Sequence, residues 1–157
     1  MRHTIQVLVE NKFGVLARIA SLFSARGYNI DSLAVGETQD STLSCMTLVV
    51  NAQDERILEQ IKKQLHKLID VVTVVDLTRK DHVARELIIM KVMKKPGTKK
   101  LLDRLIQNYP IQIVAEDQET TMLEVCADHS SIDDILSEAN KIGIKELVRT
   151  GKIVVGK

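Results

Sequence analysis

Val9-Glu10-Asn11-Lys12-Phe13-Gly14-Val15-Leu16 closes one periodicity and opens another. Upstream, Thr4 to Val9 alternates and is rich in β-branched residues, which predicts a strand. Downstream, Val15, Leu16, Ile19, Ala20, Leu22 and Phe23 recur at helical spacing, with Gly27 as the expected helix C-cap. A strand thus ends in a polar turn, the turn opens a helix, and Arg26-Gly27-Tyr28-Asn29 closes it. The first backbone N–H groups of such a helix, at Gly14, Val15 and Leu16, have no acceptor within the helix and lie at its positive end. Beside the Asn11 amide they can hold a small carboxylate.

Working outward, Ile30 to Val35 predicts a second strand, Gly36 to Ser41 a polar turn and Leu43 to Val50 a third strand. Asp54 is the expected cap of a helix running to Leu68, with Ile57, Leu58, Ile61, Leu65 and Leu68 on one face. Val71 to Leu77 predicts a fourth strand, giving the order βαββαβ. The second half repeats it. Glu86 to Val92 reads as a strand, and Lys99 to Gln107 as a helix after the Lys95-Pro96-Gly97 turn. Ile111 to Glu116 and Thr121 to Ala127 read as paired strands, and Ser131 to Asn140 as a helix closed by Gly143. Ile144 to Val148 with Lys152 to Val155 form a last strand region, interrupted at Thr150-Gly151. The expected class is α+β, two ferredoxin-like βαββαβ domains over residues 1–78 and 86–157, joined by the polar stretch 79–85.

Composition narrows the function. The 157 residues are 45% hydrophobic but only 3% aromatic with no Trp, so the core must be aliphatic. Residues 1–78 carry 8 basic and 9 acidic side chains and residues 79–157 carry 14 and 12, so neither half has the basic footprint of a nucleic-acid binder. RNA-binding modules of this topology stack bases on strand aromatics. Here Phe13, Phe23, Tyr28 and Tyr109 all fall away from strand centres. Lys91, Lys94, Lys95, Lys99, Lys100 and Arg104 form a local basic cluster, read either as a solvated turn and helix start or as a phosphate or partner contact. Cys45 and Cys126 sit in separate apolar runs and make no CxxC pair, so buried, reduced thiols are expected. The N-terminus enters a strand pattern at once and no run approaches a membrane span, which predicts a cytoplasmic protein with no membrane contact.

Catalytic constellations are missing from the pattern. His3, His66, His82 and His129 have no metal-ligand spacing, no serine sits in a GxSxG elbow, and Gly97-Thr98-Lys99-Lys100 lacks the glycines of a phosphate loop. Asp31, which follows the ligand-facing Asn29, could act on a substrate, but Asp is also a common turn residue there. No catalytic, cofactor or metal residue is therefore assigned. The strands also carry consecutive apolar residues, as in Leu48-Val49-Val50 and Leu87-Ile88-Ile89, so part of both sheet faces is expected to be covered. Homodimerisation through a strand edge or sheet face would do this.

The pocket has two readings. In one, Asn11 and the Gly14, Val15 and Leu16 amides meet an α-amino acid, Asn29 and Ile30 reach it across a dimer interface, and Leu16, Ile30 and Leu33 line its side-chain slot. In the other, Asn11 and Asn29 are turn formers, Gly14 relieves crowding and the apolar residues are ordinary core.

Several blocks resemble one family. They are Val9-Glu10-Asn11-Lys12-Phe13-Gly14-Val15-Leu16-Ala17-Arg18-Ile19, then Leu22-Phe23-Ser24-Ala25-Arg26-Gly27-Tyr28-Asn29-Ile30-Asp31-Ser32-Leu33, then Thr42-Leu43-Ser44-Cys45-Met46-Thr47. Leu58 to Val71, containing Gln64-Leu65-His66-Lys67-Leu68, and His82-Val83-Ala84-Arg85-Glu86-Leu87 continue it. Together they are similar to the small regulatory subunit of acetolactate synthase (acetohydroxyacid synthase). The likeness is strong over residues 2–92 and weaker afterwards, where Lys94 to Lys100 and Thr120 to Ser130 depart from the pattern.

The resemblance implies an N-terminal ACT domain that binds an effector and forms a homodimer. It also implies a partner, the large catalytic subunit, which would carry thiamine diphosphate, Mg2+ and FAD. The small subunit raises the activity of that enzyme and confers feedback inhibition by a branched-chain amino acid, most often valine. The implied effector contacts are Asn11, Gly14, Val15 and Leu16 from one protomer with Asn29 and Ile30 from the other. A free-standing ACT-type amino-acid sensor acting on another enzyme or regulator is the alternative.

Overall fold

A computed structural model describes residues 2–52 and 55–157. The expected cap Asp54 lies outside the described residues. Two compact units are present, Met1–Val83 together with Lys152–Lys157, and Ala84–Gly151.

The first unit runs β1 (Arg2–Glu10), α1 (Val15–Ser24), β2 (Ile30–Glu37), β3 (Leu43–Asn51), α2 (Glu55–Leu65) and β4 (Val71–Asp76). Its sheet has the order β2-β3-β1-β4, all neighbours antiparallel, so β2 is an edge strand. Register pairs Val7 with Met46 and Ile5 with Leu48, which puts these side chains on one face. There they meet Val15, Ile19, Leu22 and Phe23 of α1 and Leu58, Ile61 and Leu65 of α2. Full burial of each large apolar side chain contributes about 1.5–3 kcal/mol, so this layer, aliphatic apart from Phe23, supplies the main stabilising term. Helix α1 ends one turn before Gly27. Gly27 adopts φ 67 in the following turn, where its N–H donates to the Ser24 carbonyl at 3.1 Å, while Ala25 is the C-cap itself. Helix α2 ends at Leu65, short of Leu68, which still packs against the core.

The second unit is built from β5 (His82–Met93), α3 (Lys99–Asn108), β6 (Ile111–Glu116), β7 (Thr120–Ala127), α4 (His129–Ile142) and β8 (Ile144–Arg149). Strand order β6-β7-β5-β8 repeats the arrangement of the first sheet. Ile88, Met90 and Val92 pack with Leu123 and Val125 under Leu105 of α3 and Ile132, Ile135 and Ala139 of α4. Strand β5 starts at His82, inside the polar stretch that sequence alone read as a joint. Helix α4 starts two residues earlier than expected because Asp128 caps it. Its carboxylate accepts from the Ser131 N–H at 3.0 Å and the Ser130 hydroxyl at 2.7 Å. Gly143 ends α4 as expected, with φ 113 and an N–H donating to Ala139.

Two expectations need correction, and the basic cluster keeps both of its readings. The cysteines are not both buried. Cys45 is half-buried, and burial pushes its thiol up, but Cys126 is exposed. Cys126 pairs in register with Leu87 on the face away from the helices, one residue after buried Val125. The basic cluster is partly neutralised, since Lys94 reaches Glu116 at 2.7 Å and Lys91 reaches Glu146 at 3.4 Å. Finally, the last strand region divides. Its second part, β9 (Ile153–Gly156), pairs with β5, whose first residues His82 and Val83 belong to the same unit as β9. The Gln6 side-chain amide donates to the Val154 carbonyl at 2.9 Å, and the Ser32 hydroxyl accepts from the Lys152 N–H at 3.2 Å. Gln6 pairs with Thr47 on the sheet face away from the helices. Thr4, Thr47 and Val49 on that face are buried, so the chain's own C-terminal segment does part of the covering expected from a second copy.

Candidate effector site

Strand β1 ends at Glu10, and the turn after it is fixed from three sides. The Asn11 N–H donates to the Thr42 carbonyl at 2.7 Å. The Asn11 side-chain amide donates to a Glu37 carboxylate oxygen and to the Ser41 carbonyl, both at 3.0 Å. Glu10 N–H donates to the Asp70 carbonyl at 2.9 Å, tying the same corner to the turn before β4. Gly14 then sits at the N-cap of α1 with φ 82 and ψ −4, a left-handed conformation that side-chain-bearing residues rarely adopt. Neither a side-chain cap nor a first-turn acidic residue neutralises this helix start. Its positive dipole end thus lacks the usual internal carboxylate, while the Val15 N–H makes only a long 3.4 Å contact to the Lys12 carbonyl. Val15 turns into the core at 3% exposure, whereas Leu16 is 43% exposed.

Charge is distributed around this start with both signs. The Arg18 guanidinium binds Asp70 through Nε at 2.9 Å and Nη2 at 2.7 Å, and Asp70 is buried. Lys12 pairs with Glu10 at 2.6 Å, and the hydrogen bond to Glu10 raises the lysine above its ordinary value. A zwitterion needs donors for its carboxylate and acceptors for its ammonium. The helix start offers the first, and the Glu37, Ser41 and Asn11 corner offers the second. Neither Glu37 nor the Arg18–Asp70 pair is singled out by sequence. Arg18 follows Gly14 at the i+4 spacing of one helix face, which is the only local signal.

Asn29 is exposed and donates to Asp31 at 2.7 Å, and Asp31 also accepts from Arg2 at 3.2 Å. Ile30 packs against the core and pairs in register with Val50, which pairs in turn with His3 near the start of β1. Glu37 pairs with Ser44 near the end of β1, next to Asn11. One chain therefore brings Asn11, Gly14, Val15 and Leu16 together and leaves Asn29 and Ile30 at the other end of β2. At about 3.3 Å per residue that separation is roughly 23 Å. Among the described residues no group of three or more His, Cys, Asp or Glu side chains converges as a metal site, and no helix is long and apolar enough to cross a membrane.

Residues 5–73 match the family described as AHAS small subunit-like ACT domain, and residues 85–157 match the one described as small subunit of acetolactate synthase. The acetolactate synthase small subunit of Mycobacterium leprae is 42% identical over 151 residues, spanning 96% of this chain and 89% of that protein. The chain belongs to the acetolactate synthase small-subunit family. The Bacillus subtilis acetolactate synthase small subunit is 36% identical over 151 residues, covering 96% of this chain and 88% of its own length. The crystal structure of the Thermotoga maritima acetolactate synthase small subunit superposes with a TM-score of 0.90 at 29% identity, covering 100% of this chain and 98% of the other. Acetolactate synthase small subunits are the regulatory ACT-domain component rather than the catalytic one, and a small subunit implies a large catalytic partner. The match over residues 85–157 includes Lys94 to Lys100 and Thr120 to Ser130, the stretches that depart most from the family pattern in sequence. A free-standing ACT-type sensor would share the first half alone, so that alternative is set aside.

Proposed function

We propose that this chain activates the thiamine-diphosphate-dependent large subunit of acetolactate synthase and makes it sensitive to valine, in the cytoplasm. The cofactors thiamine diphosphate, Mg2+ and FAD belong to the large subunit in this reading. The effector binds between two ACT domains, with Asn11, Gly14, Val15 and Leu16 of one copy and the partner's Asn29 and Ile30. One observation carries the reading. The two halves of the candidate site lie at opposite ends of β2, and β2 is an edge strand. Two copies paired antiparallel along that edge bring the Asn29 end of each β2 to the Glu37 end of the other, where Asn11 stands. The exposed Leu16 then has an apolar partner, and the unneutralised start of α1 receives the effector carboxylate.

Control follows from differential affinity. Valine inhibits only if it binds one arrangement of the complex more tightly than the active one, and a coupling of about 1–3 kcal/mol is typical of such systems. The test is acetolactate formation by the cognate large subunit, with and without this chain, across a valine titration. Stimulation reversed by valine supports the reading. No stimulation rejects the activating role, and stimulation indifferent to valine moves the effector assignment to leucine or isoleucine.

A further inference from the structure

Helices α1 and α2 leave an open groove of about 450 Å³ on the layer opposite the sheet. Its floor is apolar, from Leu22 and Leu68, and its walls carry Arg18, Arg26 and Lys67, with no carboxylate lining it among the described residues. Arg18 is met by Asp70 just outside the groove. Arg26 is held in place by neutral partners, donating to the Gln64 side chain at 2.8 Å and to the Leu22 carbonyl at 3.3 Å. Among the described ion pairs neither Arg26 nor Lys67 faces a carboxylate. This is a local concentration of positive charge in a half of the chain that is slightly acidic as a whole. Beside the groove, Ile69 follows Leu68 in the chain and is 95% exposed.

We propose that this groove is the docking surface for an acidic segment of the large catalytic subunit, with apolar side chains seated on Leu22 and Leu68. The inference rests on the large subunit being this chain's partner. A small free anion would meet the cations but leave the apolar floor and Ile69 wet, whereas a peptide segment covers both. A second copy docking groove to groove about a two-fold axis would set Arg26 and Lys67 against their own counterparts, which like-charge repulsion opposes. The proposed pairing edge β2 belongs to the sheet, so the groove remains open in that dimer. Arg18 also links the two functions. It lines the groove, and its Nη1 lies 3.1 Å from where a Gly14 Cβ would stand. An effector carboxylate at Gly14 thus falls beside a residue of the docking wall.

The experiment compares the full chain with its Arg26→Glu/Lys67→Glu variant. Large-subunit association is measured by analytical ultracentrifugation and titration calorimetry at several salt concentrations. Because charge pairing steers and holds such a contact, the variant should bind the large subunit about tenfold or more weakly, and the parent's affinity should fall as salt rises. Valine affinity, self-association and the circular dichroism spectrum should stay as in the parent. An Arg26→Gln/Lys67→Gln variant, with less electrostatic load on folding, should show an intermediate loss. Unchanged association and salt dependence in both variants would overturn the proposal. So would loss of self-association with large-subunit binding intact, which would make the groove a contact between copies. A parent chain that fails to bind the large subunit removes the partner reading itself, a result distinguishable because it appears before any substitution.

Discussion

Arg18 binds the buried carboxylate of Asp70 at 2.7–2.9 Å while its other terminal nitrogen stands 3.1 Å from the position a Gly14 side chain would occupy. The start of α1 is thus crowded by a cation that another residue already holds. Gly14→Asp meets two penalties there. Its φ of 82 is unfavourable for any L side chain, and its carboxylate fills the place proposed for the effector carboxylate, facing Arg18. Valine affinity should fall about tenfold or more, a loss of about 1.4 kcal/mol upward. Calorimetric titration of valine into the variant checks this, and parent-like affinity would remove Gly14 from the site.

Asn29→Ala takes away a side-chain amide that, among the described residues, bonds only to exposed Asp31. Folding should barely change, since surface substitutions of this kind stay within about 0.5 kcal/mol. If Asn29 meets the ligand across the pairing edge, inhibition by valine weakens by about 1–3 kcal/mol while activation of the large subunit persists. Superimposable inhibition curves for variant and parent would show that Asn29 serves the turn alone.

Glu86 and Arg149 make a two-point ion pair, at 2.6 and 2.8 Å, in which the carboxylate is buried and the guanidinium is partly open. Hydrogen bonding to Glu86 raises the arginine further above its already high ordinary value. Arg149→Met strands a buried carboxylate. Because Arg149 is 37% exposed, the cost should fall below the range for fully buried pairs, at about 2 kcal/mol. The urea midpoint of the second unit reports it. A shift smaller than that of Glu86→Gln/Arg149→Met together would contradict the assignment of the cost to the stranded charge.

The Asp128 cap gives the second unit a pH dependence with a defined sign. Hydrogen bonds from the Ser131 N–H and the Ser130 and Ser131 hydroxyls hold its carboxyl well below the usual carboxylate range. A carboxyl lowered in the folded state contributes stability that is complete above its ordinary value, about 3.9, and is lost as pH falls through the lowered one. Asp128→Ala should therefore lower the Tm at neutral pH, and the gap between parent and variant should narrow only below about pH 4. A gap that closes nearer neutrality would assign the effect to another group.

Much of this architecture was legible because periodicity and punctuation agree. The 2-residue alternation of β1, the helical spacing of Val15, Ile19, Leu22 and Phe23, and Gly143 at the end of α4 each point to the observed element. What escaped was decided by tertiary packing. His82 to Arg85 is polar enough to read as a joint, yet it is strand, because its backbone pairs where its side chains need no core. Cys126 sits in an apolar run, but the run covers both faces of β7, and only register reveals which side is open. No local signal says which unit Ile153 to Gly156 will join. The Asn11–Gly14 half of the candidate site was readable as a strand–turn–helix corner. That Asn29 lies at the far end of an edge strand required the sheet order.

A site shared between copies is tested most directly by mixing. Asn11→Ala and Asn29→Ala chains are each prepared, confirmed to keep the large subunit active at a valine concentration that inhibits the parent, then combined so that protomers exchange. In a mixed dimer one site loses both asparagines and the other keeps both. About half the dimers are mixed, so about a quarter of the sites recover. The account predicts that valine binding and partial inhibition of acetolactate formation return on mixing. If the mixture stays as insensitive as either variant alone while exchange is demonstrated, the effector site is not built from two copies.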